Sequence, residues 1–346
     1  MKKLKLNILL TLCGIILAAC GNRGEPPDYT EHTYAAATTA VETTNYAYHG
    51  IRAAAAVAHI SDNFYNRVPF SYQELAAALW VMDELLAMGF APENVLLQQF
   101  YYDAILQSPF NRFQTQAPFI HAPSADMRRY SQNVVLTMPG YGSGIVVVGA
   151  HYDSVYTAGA SDNASGVGLL LENIYHMRYV DNYHTLIYVF FGAEEIGLVG
   201  AYYFINSLSE DAADELLFMI NADVVLEGEH LFFIADGSYG DAAVARVFDV
   251  VESMYDDFAI ELLYAPHLSF LNSDHIIFWA AGHPAMFIAS KAVLDGGFLD
   301  FLTMFPILHS WRDNVQYLQE NHASMMESNL RHASIFLQRL TLSRFN

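Results

Sequence analysis

The chain has 346 residues, of which 53% are hydrophobic and 15% charged, a composition that excludes a disordered polymer and allows a large buried core. With 16 basic against 37 acidic side chains the formal charge is -21. So acidic a chain lacks the clustered Lys and Arg that phosphate binding needs, which argues against a nucleic-acid partner.

At the start of the chain, Lys2, Lys3 and Lys5 precede an apolar run from Ile8 to Leu17 and then small residues, the layout of a secretory leader. The run falls short of the roughly 20 apolar residues that span a bilayer. Leu17-Ala18-Ala19-Cys20 resembles a bacterial lipobox, in which the leader is cut before the cysteine and that cysteine carries lipid. Residues 1–19 are therefore expected to be a signal peptide and Cys20 the lipidation site. Cys13 would leave with the leader, so the mature chain would hold no free thiol and no disulfide. From Gly21 to about Thr44 the sequence is rich in Gly, Pro, Thr, Ala and Glu without an apolar period, which reads as a tether over residues 20–45. The expected location is extracytoplasmic, held to a bilayer through acylated Cys20.

Folded structure is expected over residues 46–346. Ser71-Tyr72-Gln73-Glu74 forms a capping box ahead of Leu75, Leu79, Met82 and Leu86, with Gly89 closing an amphipathic helix. The stretch Tyr102 to Arg129, with its aromatics and prolines, reads as an irregular insertion at an active-site rim. Apolar runs at Ile145–Val148, Leu186–Phe191, Leu216–Ile220, Leu231–Ile234 and Ala285–Ile288 read as strands, besides one around Val134. Helical patterns fall at Ser165–Met177, Asp241–Tyr255, Asp274–Ala281 and Ala323–Leu340. Continuous apolar strands alternating with helices predict one α/β domain whose central sheet, mixed and mostly parallel, is covered on both faces.

In open α/β sheets functional groups gather beyond the carboxyl ends of strands. Here the first strand named runs into His151-Tyr152-Asp153, the second into Glu194-Glu195, and the third into Asn221-Ala222-Asp223. Asp162 stands just before a helix, and His309 lies in the loop-like Leu308-His309-Ser310-Trp311-Arg312-Asp313. Imidazole and carboxylate without thiolate suits catalytic zinc, and two such ions can act together on a water and a carbonyl. Of the paired acids Glu194 and Glu195, one could bind metal while its neighbour takes and returns protons.

The ordered set His151-x-Asp153, Asp162-Asn163 before Ser-Gly, Glu194-Glu195, Asn221-x-Asp223, Ser273-Asp274-His275 and His309 resembles the two-zinc exopeptidases of metallopeptidase family 28. That resemblance implies that Asp162 bridges two Zn2+ ions, with His151 and Asp223 completing one site and Glu195 and His309 the other. It implies Glu194 as general base and Asp153 as the carboxylate that orients His151. It also implies a cis bond at Asp162-Asn163 and peptide substrates read from a free amino terminus. Ser273, Asp274 and His275 are expected to support the site, since three adjacent residues cannot converge as a serine triad does. The remaining histidines, among them His49 and His176, read as structural or surface residues.

The nearest competing activity is cyclisation of amino-terminal glutamine on the same fold, but Asp162-Asn163-Ala164-Ser165-Gly166 resembles the peptidase form. A carboxypeptidase or deacylase would want an arginine motif for a substrate carboxylate, and none stands out. A catalytically silent peptide-binding lipoprotein would lack a ligand or the base, and His151, Asp162, Glu194, Glu195, Asp223 and His309 are all present.

Overall fold

A computed structural model describes residues 46–101, 130–236, 242–269, 271–293 and 301–345. The expected leader, Cys20, the tether and the insertion over 102–129 lie outside the described residues.

Eight strands form one sheet: β1 Val95–Tyr101, β2 Tyr130–Met138, β3 Ile145–His151, β4 Thr185–Phe191, β5 Leu216–Ala222, β6 His230–Asp236, β7 Leu263–Tyr264 and β8 Ala285–Lys291, in the order β1-β2-β4-β3-β5-β8-β6-β7. The centre, β4-β3-β5-β8, is parallel throughout, whereas β1, β2 and β6 pair antiparallel with their inner neighbours. Each strand expected from an apolar run is present and continues beyond it. The sequence pattern gave no sign of β7, two residues long.

The helices are α1 Ile51–Asn63, α2 Tyr72–Ala87, α3 Ser165–Met177, α4 Val199–Ser207, α5 Ala242–Phe258, α6 His275–Ala281 and α7 Val315–Thr341, besides shorter turns. Period-2 alternation splits the strand side chains between two layers. Val146, Val148 and Ala150 join the core built with α1, α2, α3 and α7. Ile145 and Val147 face the opposite layer with Phe204 of α4 and Phe278 of α6. The sheet is therefore covered on both faces, as its continuous apolar strands require.

α2 is capped as expected, the Ser71 hydroxyl accepting from Glu74 N–H at 3.1 Å. Glu74 also accepts from Phe70 N–H at 2.7 Å and from the Ser131 hydroxyl. The buried face differs from the stripe of large residues. Ala77, Ala78, Val81 and Leu85 pack inward, while Leu79 and Leu86 are 44% and 37% exposed. α7 begins at Val315, eight residues before the expected start at Ala323, with Asn314 accepting from Tyr317 N–H, and bends at His322.

α1 and α4 had no counterpart among the expected helices. α1 is alanine-rich and begins after Gly50, whose φ is 88°. Its cap comes from Glu172 of α3, which accepts from Gly50 N–H at 2.6 Å and Ala53 N–H at 2.9 Å. Gly168 makes the approach possible, since a Cβ there would lie 2.6 Å from the Ala53 carbonyl oxygen. Among the described residues no helix is long and apolar enough to cross a membrane.

Candidate active site

The parallel arrangement brings the carboxyl ends of β3, β4 and β5 side by side, and the polar clusters sit there. His151 is the last residue of β3, and Asp223 follows β5, its N–H donating to Ile288 O of β8 at 3.1 Å. Asp162 lies in the tight turn before α3, in a cis peptide with Asn163. Asn163 fastens that turn to the sheet, donating to Ala222 O at 3.0 Å and accepting from Gly166 N–H at 2.8 Å. Gly166 is required by the same approach, since a Cβ there would stand 2.3 Å from Ala222 O.

These elements converge on one cleft lined by His151, Asp162, Glu194, Glu195, Asp223 and His309. Asp162 divides its oxygens between the histidines: Oδ1 is 3.0 Å from His151 Nε2 and Oδ2 is 2.8 Å from His309 Nε2. Asp223 Oδ1 lies 3.2 Å from His151 Nε2, and Glu195 Oε2 lies 3.1 Å from His309 Nε2. Two groups of possible donors result, His151 with Glu194 and Asp223, and Glu195 with Asp162 and His309. Asp153 Oδ1 stands 3.4 Å from His151 Nδ1, and the two Asp153 oxygens accept from the N–H groups of Glu194 and Glu195, each at 3.1 Å. One carboxylate thus faces the imidazole and holds the backbone of both glutamates.

The arrangement fits cations. A proton on Nδ1 toward Asp153 leaves the Nε2 lone pair of His151 aimed at two carboxylate oxygens, a convergence of lone pairs that a positive ion relieves. Separations of 2.8–3.2 Å also approach the spacing of about 3.3 Å between neighbouring donors around tetrahedral zinc at about 2.0–2.1 Å per bond. Glu195 Oε1 is buried without a hydrogen-bond partner among the described residues.

The electrostatics point the same way. Burial, then the charges of Asp274, Glu195 and Asp223, push the Glu194 carboxyl well up against the pull of His151. Burial and then Asp162 raise Glu195 to about 7. His151 is held well above the ordinary imidazole range, burial opposing but Asp223, Glu194, Asp153 and Asp162 prevailing. The buried cation near this group is Arg67, lowered by burial to about 10 while Asp313, Asp153, Asp162 and Glu195 draw it up. Its guanidinium donates to the carbonyls of Phe64, Tyr152, Ala158 and Gly159, which fastens the segment between His151 and Asp162.

Of the expected supporting residues, Ser273 donates to Asp223 Oδ2 at 2.7 Å and accepts from Asn221 Nδ2 at 2.7 Å. Asp274 is fully buried with neither oxygen hydrogen-bonded among the described residues. Burial, opposed by His151 and reinforced by Asp223 and Asp153, raises its carboxyl. His275 departs from expectation. Its ring stacks on Phe287 at 4.9 Å and abuts Trp279, burial lowers it to about 3, and it belongs to neither donor group. The first residue of α6 turns toward packing because the helix directs it between the two aromatics. Arg67, Glu227 and Asp313 carried no sequence signal of their own, although Asp313 stands in the quoted loop.

A second group brings together His49, Glu172 and His176, two of the histidines read from the sequence as structural or surface residues. Their rings stack at 4.3 Å with planes 15° apart, and His49 Nδ1 lies 2.8 Å from the Ser334 hydroxyl. Glu172 already accepts from Gly50, Ala53 and Ser334, which makes the group a buried helix cap.

The model of Peptidase family M28 matches residues 133–334. Aminopeptidase YwaD of Bacillus subtilis is 39% identical over 82 residues, 23% of this chain and 18% of that relative; the match spans under a fifth of the relative's length. A zinc aminopeptidase of Bacillus subtilis, BSAP, superposes with a TM-score of 0.62 at 16% identity over 85% of this chain and 94% of that one. A glutaminyl cyclase from an Acidobacteriales bacterium also superposes at 0.62, with 15% identity over 90% and 98%, so the shared fold alone does not choose between the two chemistries.

Proposed function

The chain belongs to peptidase family M28, and from that premise we propose that it is a zinc-dependent aminopeptidase removing residues from the free amino end of peptides. The observation that carries this reading is Asp162 facing His151 with one oxygen and His309 with the other. In this proposal two zinc ions would be held by the facing groups of the cleft, one by His151 and Asp223 and the other by Glu195 and His309, with Asp162 available to both. Zinc held there supplies positive charge that polarises a scissile carbonyl and acidifies water.

Glu194 takes the proton from the attacking water and returns it to the departing amine. Burial and the neighbouring Asp274, Glu195 and Asp223 raise its carboxyl above the ordinary glutamate range, the direction that suits a group which takes up and returns a proton. Asp153 holds the Glu194 and Glu195 backbone and keeps the His151 ring in place. Ser273 orients Asp223, and Asp274 lies buried next to Ser273 in the chain with neither oxygen hydrogen-bonded among the described residues. The acids suit a substrate's α-ammonium group, while Val224, Leu271, Phe287, Phe305 and Leu308 wall the cleft with apolar surface. That wall supports a preference for apolar first residues.

The proposal extends to residues outside the described structure: a signal peptide over 1–19, acylated Cys20, a tether to residue 45, and the catalytic domain over 46–346 held at the outer face of a bilayer. The leader sequence supports this part.

Mass spectrometry of peptides differing in the first residue, including glutamine and amino-acetylated controls, tests the activity. Stepwise loss of free amino-terminal residues with acetylated peptides untouched is the expected result. Loss of ammonia from glutamine peptides alone would make the protein a cyclase, and an untouched panel would remove the enzymatic reading.

A further inference from the structure

His309 adopts φ 50°, in the left-handed region that a non-glycine residue occupies only when its surroundings impose it. Two buried carboxylates flank the loop that carries it. On one side, Glu227 Oε2 accepts from the N–H groups of Ile307 at 2.9 Å and Leu308 at 3.0 Å. On the other, Asp313 turns inward, Oδ1 accepting from Ser161 N–H at 2.6 Å and Oδ2 from Asp162 N–H at 3.3 Å. Glu227 and Asp313 are 1% and 0% exposed, so no bulk water substitutes for either.

Between these ties the loop is closed on itself. Ser310 N–H and its hydroxyl both donate to Ile307 O, at 3.1 and 2.6 Å, and Asp313 N–H donates to Ser310 O at 2.9 Å. Ser161 N–H, on Asp313, ties the far end of the loop to the turn that carries Asp162. The His309 loop is thus fastened to the Asp162 turn through Asp313 and to the segment after β5 through Glu227, and neither carboxylate is among the residues that line the cleft.

We propose that Glu227 and Asp313 are positioning residues for the half of the site formed by Glu195 and His309. They hold His309 in its left-handed backbone conformation and fix its distance from Asp162, so weakening either clamp releases the ion of that half before the ion held by His151 and Asp223. The proposal rests on the two-ion reading of the site.

The clamps differ in a way that sets the test. Both Asp313 oxygens are engaged, so Asp313→Asn must lose an acceptor, whereas Glu227 uses a single oxygen for both N–H groups, so Glu227→Gln can keep them and Glu227→Met cannot. Tyr188→Phe, which breaks a buried bond to Asn173, controls for general destabilisation. Full-length metal-free protein is titrated with zinc by calorimetry, and with cobalt(II) followed by visible absorption, for variants shown by urea melts to be folded.

Asp313→Asn and Glu227→Met are expected to bind the first ion as wild type does and the second at least about tenfold more weakly, the usual scale for residues that orient metal ligands. The cobalt spectrum of the second equivalent should change, while Glu227→Gln and Tyr188→Phe stay within about threefold of wild type. Asp313→Asn, which keeps size and one acceptor, carries the test if Glu227→Met does not fold. Two wild-type-like sites in Asp313→Asn, equal weakening of both, or the same loss in Tyr188→Phe would overturn the proposal alone. Uptake of fewer than two ions by the wild type would overturn the two-ion reading and this proposal with it.

Discussion

Replacing Asp153 by asparagine probes the hinge of the site, because its two oxygens accept from the Glu194 and Glu195 N–H groups and one of them lies 3.4 Å from His151 Nδ1. An amide nitrogen in place of one oxygen cannot accept from a backbone N–H, so one hydrogen bond to a charged acceptor is lost in a fully buried setting. Such a bond contributes about 1.5–3 kcal/mol, which at about 1.4 kcal/mol per factor of ten corresponds to about 10–150-fold. The loss should fall on zinc affinity and turnover together, because the same substitution frees the His151 ring and loosens the backbone that carries Glu194. Zinc titration of metal-free Asp153→Asn and its kcat/KM on an apolar-ended peptide measure both. If both parameters stay within threefold of wild type while the protein remains folded, Asp153 neither orients His151 nor holds the glutamates.

Three further outcomes follow from the geometry. Glu194→Gln keeps shape and removes the base, so two zinc ions by elemental analysis should accompany a fall in kcat of about 10²–10⁴-fold; near-normal turnover would reassign the base. Arg67→Ala strips its donor from four carbonyls and a counter-charge from the acids, and should cost about 3–5 kcal/mol in urea unfolding, a loss under about 1 kcal/mol telling against the role given to it. His275 concerns pH: its folded value is about 3 against 6.5 for the free side chain, so below pH 6.5 the unfolded chain takes up a proton that the folded chain refuses. Stability from this group is full above pH 6.5 and declines as pH falls toward 3. Between pH 6.5 and 5, metal-free His275→Phe should lose about 1.5 kcal/mol less than wild type, and parallel losses would show that His275 titrates freely when folded.

What was legible in the sequence was what neighbouring residues determine among themselves. Ile145–Val148 reads as a strand because four apolar residues in a row are buried on both faces, and the His151-x-Asp153 beyond it reads as a site because polar groups at a parallel strand's carboxyl end face open space. The ends of α3, Ser165 and Met177, and the Ser71 cap of α2 were visible for the same local reason. Six motifs in order then pointed to the candidate metal-site residues through their likeness to a family.

Contacts between distant segments decided the rest. α1 is alanine packed against glycine and is capped by a carboxylate about 120 positions away, a partner that no neighbouring residue announces. α2 exposes Leu79 and Leu86 and buries Ala77 and Ala78, so side-chain hydrophobicity alone does not set which face turns inward. Glu227, Asp313 and Arg67 read as ordinary charged residues until the fold buries them around the Asp162 turn and the His309 loop. The chain itself thus determined the strands and the chemical character of their ends, whereas only the tertiary structure decided which carboxylates bind backbone and which face the cleft. The physical reason is that a buried charge is defined by the partners it meets, and those partners come from segments remote in the chain.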